Sequence, residues 1–296
     1  MVSPAARKAA VRYLKEEKSY SERGACELMK VSRCAVRHRP KRKDDEERLR
    51  RRIREWANRK KRYGNPRITQ ALRREGWRVN PKRVHRIRKE EGLVLPRKRP
   101  RRGRRGQPME RLQRAEYRDH VWSYDFVEDR TEKGGRIRIL AILDEYTREC
   151  LALVAAPSMG AQSVIHALEW LFLTRGVPKW IRSDNGPEFA AQAVQQWLGN
   201  QGCQTLYIEP GSPWENGFIE SFIGKLRDEC LNMEVFHNGA EARGIIEAWR
   251  EEYNRRRPHS ALGYQTPEEF AAQALSVASA TPPQHLGHTD REFILT

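Results

Sequence analysis

The stretch Val121–Val127, VWSYDFV, sets an acid in the middle of an apolar strand pattern. Alternation puts Trp122, Tyr124 and Phe126 on one face, and Val121, Ser123, Asp125 and Val127 on the other. Asp and Glu are rarely buried unless they are paired or bound to a metal. Taken alone, Asp125 reads equally as an exposed edge residue or as an acid kept for chemistry. The rest of the chain decides between the two.

Downstream, Gly134-Gly135 makes a turn, and Ile137–Leu143 and Cys150–Ala155 continue as strands, which together suggest a meander. Ser163–Thr174 carries apolar residues at 164, 165, 168, 171 and 172, a helical period. A strand at Trp180–Ser183, a helix at Ala190–Leu198, a strand at Thr205–Ile208 and a long helix at Glu215–Leu231 follow. The order βββαβαβα predicts an α/β domain with a mixed sheet flanked by helices, as in the ribonuclease H-like fold. A further helix, Glu241–Tyr253, stops before Pro258. Residues 273–296 are rich in Ala, Ser, Thr and Pro and read as a flexible tail.

Upstream the texture is basic and helical. Ser21 is placed to cap a helix carrying Ala25, Leu28 and Met29. Ser32 caps a second, with Val36 inside and Arg33, Arg37 and Arg39 outside. This pair, within residues 1–40, reads as a helix-turn-helix or equally as a plain helical hairpin. Residues 41–94 give the stronger helix-turn-helix pattern. Ile53 and Trp56 share a face, Ile68 and Leu72 another, and Gly76 closes that helix. Asn80-Pro81 starts the next helix, with a cap followed by proline at the first position. Val84 and Ile87 then point inward, leaving Lys82, Arg83, His85, Arg86 and Arg88 for an outer, DNA-facing surface. Residues 95–117 form a basic linker. Its cations Arg97, Lys98, Arg99, Arg101, Arg102, Arg104 and Arg105, set among Pro and Gly, cannot pack and are suited to tracking phosphates. The catalytic domain is expected over 118–272.

Charge sharpens this division. Residues 1–118 hold 41 Lys+Arg against 14 Asp+Glu, and residues 119–296 hold 16 against 25, a balance of +27 against −9. One part suits a polyanion and the other suits cations, which points to nucleic acid. The five cysteines show no paired spacing, as expected for free thiols in a reducing compartment, and they offer no zinc pattern. The N-terminal residues lack an apolar signal core, and no segment is apolar enough to span a membrane. The expected location is cytoplasmic, in association with the nucleoid.

Two further acids stand out. In IRSDNGPEF (Ile181–Phe189), Asp184 closes a strand just before an Asn-Gly turn. If that strand is parallel to Val121–Val127 and adjacent to it, Asp125 and Asp184 lie side by side, where open α/β sheets hold their ligands. Glu220 stands at the edge of the apolar stripe 219, 222, 223, 226 and 230, with Gly224 and Arg227 following on its face. Gly224 leaves a shallow spot where a polyanion is able to approach. Three such acids in one cleft repel one another unless cations lie among them. Glu188 and Asp144 are weaker metal candidates, with Asp144 placed to pair with Arg148. Asp228 and Glu229 read as members of surface charge pairs.

SYDFVED around Asp125, RSDNGPEF around Asp184 and GSPWENGFIESFIGKLRDE around Glu220 together resemble the DDE transposase and retroviral integrase superfamily. Asp184 and Glu220 are separated by 35 residues. YNRRRPHSALGYQTP (Tyr253–Pro267) narrows the resemblance to the OrfB product of bacterial insertion sequences of the IS-three family. FIESFIGK stands where YNESFNGK is usual, and YGNPRI where YGYRRI is commoner, so Pro66 is expected to bend a helix start. The resemblance implies that Asp125, Asp184 and Glu220 form the catalytic, metal-binding triad for two Mg²⁺ ions, with Mn²⁺ as a substitute. It implies DNA contacts at Lys225 and Arg227. It also implies cleavage of DNA at insertion-sequence ends and strand transfer into target DNA by a homo-oligomer, and a possible first-reading-frame partner or fusion. A DNA-binding regulator without catalysis and a ribonuclease H-type nuclease are the competing readings. His259 and the neighbouring RRRPHS run (Arg255–Ser260) are expected to be structural or to lie against DNA.

Overall fold

The computed structural model describes residues 3–38, 45–95, 114–183, 192–207 and 216–280. By its internal contacts the chain divides into two units, Met1–Arg52 and Ile53–Thr296.

The first unit contains three short helices: α1 (Pro4–Glu17), α2 (Glu22–Leu28) and α3 (Arg33–Arg37). Each has a serine at its N-cap whose Oγ accepts a backbone N–H. Ser3 accepts from Ala6, Ser21 from Gly24 and Ser32 from Ala35, at 3.1–3.2 Å. Val11, Ala25 and Cys26 form a small core with Leu14, Met29 and Val36 against it. Leu28, on the same helix as Ala25, is exposed. The cations expected to face outward are not idle, since Arg37 donates to Glu22 at 2.7 Å and Arg33 at 3.5 Å, while Arg39 lies outside the described residues.

A fourth helix, α4 (Glu46–Arg59), carries the chain into the second unit, where α5 (Asn65–Arg74) and α6 (Pro81–Glu90) follow. Ile53, Ile68, Leu72, Val84 and Ile87 are fully buried. Each contributes roughly 1.5–3 kcal/mol relative to exposure. Gly76 (φ +88°) takes the left-handed conformation that ends α5, and Asn80 caps α6 by accepting the Lys82 N–H at 2.8 Å. Pro66 sits within the first two positions of α5, where no intrahelical N–H bond is lost, so the expected bend has no cause. Arg88 departs from the outward set. It is buried, and it donates to Asn65 Oδ1 at 2.6 Å and to the Leu93 carbonyl at 2.7 Å.

The sheet comprises β1 (Val121–Arg130), β2 (Arg136–Asp144), β3 (Cys150–Ala156), β4 (Trp180–Ser183) and β5 (Gln204–Tyr207), in the order β3-β2-β1-β4-β5. Pairing is antiparallel across β3, β2 and β1, and parallel across β1, β4 and β5. This is the ribonuclease H-like arrangement expected from the element order. The β1–β2 link turns at Gly134 (φ +80°), which an L side chain would strain.

Both faces of the sheet are covered. Trp122, Tyr124, Leu140 and Ile142 pack against α7 (Ala161–Arg175) and α8 (Gln192–Asn200). Val127, Ile139, Ala141 and Leu143 pack against α9 (Gly217–Glu229) and α10 (Gly239–Arg255). Helix α11 (Pro267–Ala280) extends past residue 272, so the start of the expected tail is helical, while residues 281–296 lie outside the described residues. All five cysteines are free. Among the described residues no helix is long and apolar enough to cross a membrane.

Candidate active site

Asp125 lies in the middle of β1, opposite Ala141 of β2, and is half-buried. Its Oδ1 accepts the N–H of Phe126 at 2.7 Å. Alternation gives it the face of Ser123 and Val127, the face on which Ile219 and Phe222 of α9 pack. Strand β4 runs parallel beside β1, with Val121 opposite Trp180 and Ser123 opposite Arg182. Its last described residue is Ser183. Asp184 and Glu188 lie outside the described residues, as do the linker cations Arg97, Lys98, Arg99, Arg101, Arg102, Arg104 and Arg105.

Glu220 falls in the first turn of α9 and is exposed, next to the fully buried Ile219. The partial positive charge of a helix N-terminus favours a carboxylate there. A Cβ at Gly224 would meet nothing within 4 Å, so packing of a small residue does not require the glycine, and the surface one turn beyond Glu220 is exposed. Arg227 is exposed. Lys225 is half-buried, and its Nζ donates to the carbonyl and the hydroxyl of Ser221, each at 2.7 Å. Burial, with Arg257 and Arg67 nearby, pushes Lys225 down to about 8. On α6, Lys82 and Arg86 are exposed and Arg83 is half-buried, and Arg86 pairs with Glu90 at 2.8 Å.

Several polar residues are placed differently from their sequence reading. Asp144 is fully buried and serves the backbone, accepting N–H groups of Asp119 and Tyr146 at 2.8 Å and of Thr147 at 3.3 Å. Burial raises its carboxyl to about 6. Its expected partner Arg148 instead lies 3.7 Å from the centre of the Phe218 ring. Asp228 does pair at the surface, 3.7 Å from Arg62. Glu229 does not belong there. It is mostly buried, receives Nε and Nη2 of Arg257 at 2.6 Å each, and has Arg67 Nη1 at 3.4 Å. Arg257 is therefore committed to the interior rather than to DNA. His259 is buried beside it, edge-on to Tyr253 with centroids 4.7 Å apart. Burial and the surrounding cations push His259 down to about 2, so it is neutral, in keeping with a structural role.

One pair was missed altogether. Arg182 of β4 donates through Nε to Glu145 at 2.9 Å, with both side chains almost wholly buried. Sequence offers no signal for it beyond a charged residue inside the apolar strand WIRS. Among the described residues no cluster of three His, Cys, Asp or Glu is able to hold a metal ion. Asp125 and Glu220 are nevertheless hard oxygen donors of the kind that suits Mg²⁺.

Comparison with known proteins places these elements in a family. Models of the integrase core domain match residues 116–213 and 201–267, and an HTH-like domain matches residues 43–101. The chain is 40% identical over 269 residues to an insertion element IS407 uncharacterized 31.7 kDa protein of Burkholderia multivorans, covering 90% of this chain and 96% of the relative. It is 37% identical to an insertion element IS476 uncharacterized 39.2 kDa protein of Xanthomonas euvesicatoria, covering 92% and 78%. Against the transposase InsF for insertion sequence IS3A of Escherichia coli K12, identity is 25%, covering 73% and 79%. Among solved structures, the HTLV-2 integrase catalytic core domain in complex with magnesium aligns with 53% of this chain and 99% of its own, at TM-score 0.43 and 16% identity. A chain from the simian T-cell lymphotropic virus intasome in complex with PP2A regulatory subunit B56 gamma aligns over 83% of this chain and 80% of its own, at TM-score 0.46 and 14% identity. With an integrase core behind an HTH-like domain, and insertion-element proteins matched over nine-tenths of its length, the chain belongs to the insertion-sequence transposases of the IS-three family, OrfB type.

Proposed function

We propose that this transposase cuts a DNA strand at the end of its insertion element, exposing a 3′-hydroxyl, and joins that hydroxyl to a phosphodiester of target DNA. Asp125, Asp184 and Glu220 are the acids that hold divalent cations for both steps. The observation that carries this reading is the parallel register of β1 and β4. The pairing reaches Ser123–Arg182, so the described end of β4, at Ser183, lies alongside the strand that carries Asp125. Helix α9, with Glu220 in its first turn, packs over the same face.

Two Mg²⁺ ions, when bound, would neutralise the acids and stabilise the attacking and leaving oxygens of an in-line displacement. The chain's own residues supply the rest. Asp125 sits on a central strand opposite Ala141 of β2, and its Oδ1 accepts the Phe126 N–H, which orients the carboxylate. Glu220 stands exposed beside open surface at Gly224, which admits a bulky phosphodiester. Lys225 and Arg227, on the same helix, are placed to bind phosphates near the cut. The exposed cations of α6 and the basic stretch 97–105 hold the DNA, in keeping with the HTH-like domain. The active form is a homo-oligomer bound to two DNA ends, acting with or without a first-reading-frame partner.

Incubation with a labelled duplex spanning one terminus of the encoding element tests this. Nicking that needs Mg²⁺ or Mn²⁺ and leaves a 3′-hydroxyl is expected. Undiminished nicking in excess EDTA, or a 3′-phosphate product, would overturn it.

A further inference from the structure

The HTH-like helices and the catalytic helices of the second unit are joined by a row of ion pairs. Cations from the end of α4 through α5 meet acids of α9, α10 and α11. Lys60 pairs with Glu252, Arg62 with Asp228 at 3.7 Å, Arg67 with Glu229 at 3.4 Å, and Arg74 with Glu269 at 2.6 Å. Arg74 also donates to the Tyr264 carbonyl at 3.0 Å. The joining cations all precede α6, which keeps Lys82 and Arg86 at the surface.

These pairs are not equal. The Arg74–Glu269 and Arg62–Asp228 pairs are substantially exposed, and such pairs are each worth about 1 kcal/mol or less. Glu229 is different, since 11% of its side chain is accessible and 3% of that of Arg257. Two parallel 2.6 Å bonds from Arg257 fix its carboxylate in one orientation, and that orientation presents Oε1 to Arg67. Tyr63, itself buried, lies under Arg67 with its ring centre 5.6 Å away. Glu229 thus ties three segments together: α5, the chain just after α10, and α9. The third of these also carries Glu220, nine residues earlier, about 13 Å along the helix axis.

We propose that Glu229 is a positioning residue. By gripping Arg67 on one side and Arg257 on the other, it fixes the distance from the DNA-binding helix α6 to Glu220 and so selects which phosphodiester is cut. The proposal rests on the cutting reading above. A rigid link of this kind acts as a ruler, because a displacement near 1 Å between a bound substrate and its reacting groups costs up to about a hundredfold in rate. Loosening the link lets neighbouring phosphodiesters compete.

The test maps cut positions at single-nucleotide resolution on the labelled terminal duplex with Mg²⁺. Glu229→Gln leaves Arg257 buried without its counter-charge and is prone to unfold, so Arg67→Ala carries the experiment from the module side. The wild-type chain is expected to cut at one position, and Arg67→Ala to scatter cuts over adjacent positions, lowering the share at the original one at least about threefold. A second set guards against a misfolded variant. Lys60→Glu and Glu252→Lys alone should each scatter the cuts, and the two together should restore a single position. If Arg67→Ala and the single charge reversals cut more slowly but only at the original position, the positioning role is overturned. A wild-type chain that cuts nowhere overturns the cutting reading, and the positioning role with it.

Discussion

Glu145 and Arg182 form a buried ion pair, with Arg182 Nε 2.9 Å from Glu145 Oε1, that ties the chain just after β2 to β4. Arg182 stands two residues before Asp184. Burial raises the Glu145 carboxyl, and Arg182, with smaller help from Arg148 and Ser123, opposes that rise. Removing one partner of such a pair is costlier than removing both, since it leaves a charge buried alone. Glu145→Gln is expected to lose about 3–5 kcal/mol. The double variant Glu145→Leu with Arg182→Met is expected to stay within about 1–2 kcal/mol of wild type. Urea denaturation of these two variants, beside Glu145→Leu and Arg182→Met alone, checks this, and single losses that add up in the double would show that the two residues are not energetically coupled.

Acid stability should report on His259. Its folded pKa is depressed to about 2, below the ordinary histidine value. Between those values the unfolded chain binds a proton that the folded chain refuses, so stability falls as pH drops below about 6.5. At pH 5 this amounts to at most about 2 kcal/mol. Replacing His259 with a non-titrating residue, His259→Phe, should flatten the stability profile between pH 7 and pH 4. An unchanged slope would mean that other groups govern it.

Much of the fold was legible in sequence because strands and helices here keep their periods. VWSYDFV alternates, WIRS is short and bounded, and the α7 stripe at 164, 165, 168, 171 and 172 is the buried set observed. A mixed sheet flanked by helices followed from these elements, while the adjacency of β1 and β4 stood in the sequence only as a condition. Long-range charge pairing was not legible. Glu145 and Arg182 are 37 residues apart, and Arg67 and Glu229 are 162 apart. No period links such residues, and only packing brings them together. Arg88 and Glu229 looked like surface charges for the same reason. The later part of α11, residues 273–280, read as tail from its Ala-rich composition, although Thr266 and Glu269 form a capping box at the start of the helix. The Thr266 N–H donates to Glu269 at 2.8 Å, and the Glu269 N–H donates to Thr266 Oγ1 at 3.2 Å. That signal was present in TPEE. For the candidate site, Asp125 shares the face of Val127, over which α9 packs, and Glu220 is exposed in the first turn of α9, while Asp184 falls outside the described residues.

Lys225 makes a pH-dependent prediction. With its pKa lowered to about 8, it loses its charge as pH rises through that value, unlike an exposed lysine. If Lys225 contacts phosphate, affinity for end DNA should fall between pH 7 and pH 9, and Lys225→Arg should abolish that fall. Lys225→Ala should lower the salt dependence of binding by a slope of about 1. Fluorescence anisotropy with labelled duplex at several salt concentrations measures both. A wild-type pH profile matching that of Lys225→Arg would remove Lys225 from the contact.

The central claim, that Asp125, Asp184 and Glu220 act together on DNA, is tested most directly by Asp125→Asn. The substitution keeps the size of the side chain and its acceptor for the Phe126 N–H, but removes the charge. Cleavage and joining of a terminal duplex should be measured beside binding of the same duplex. The account predicts that Asp125→Asn loses at least about a thousandfold in both reactions while binding stays within about twofold. Full cleavage by Asp125→Asn would contradict it.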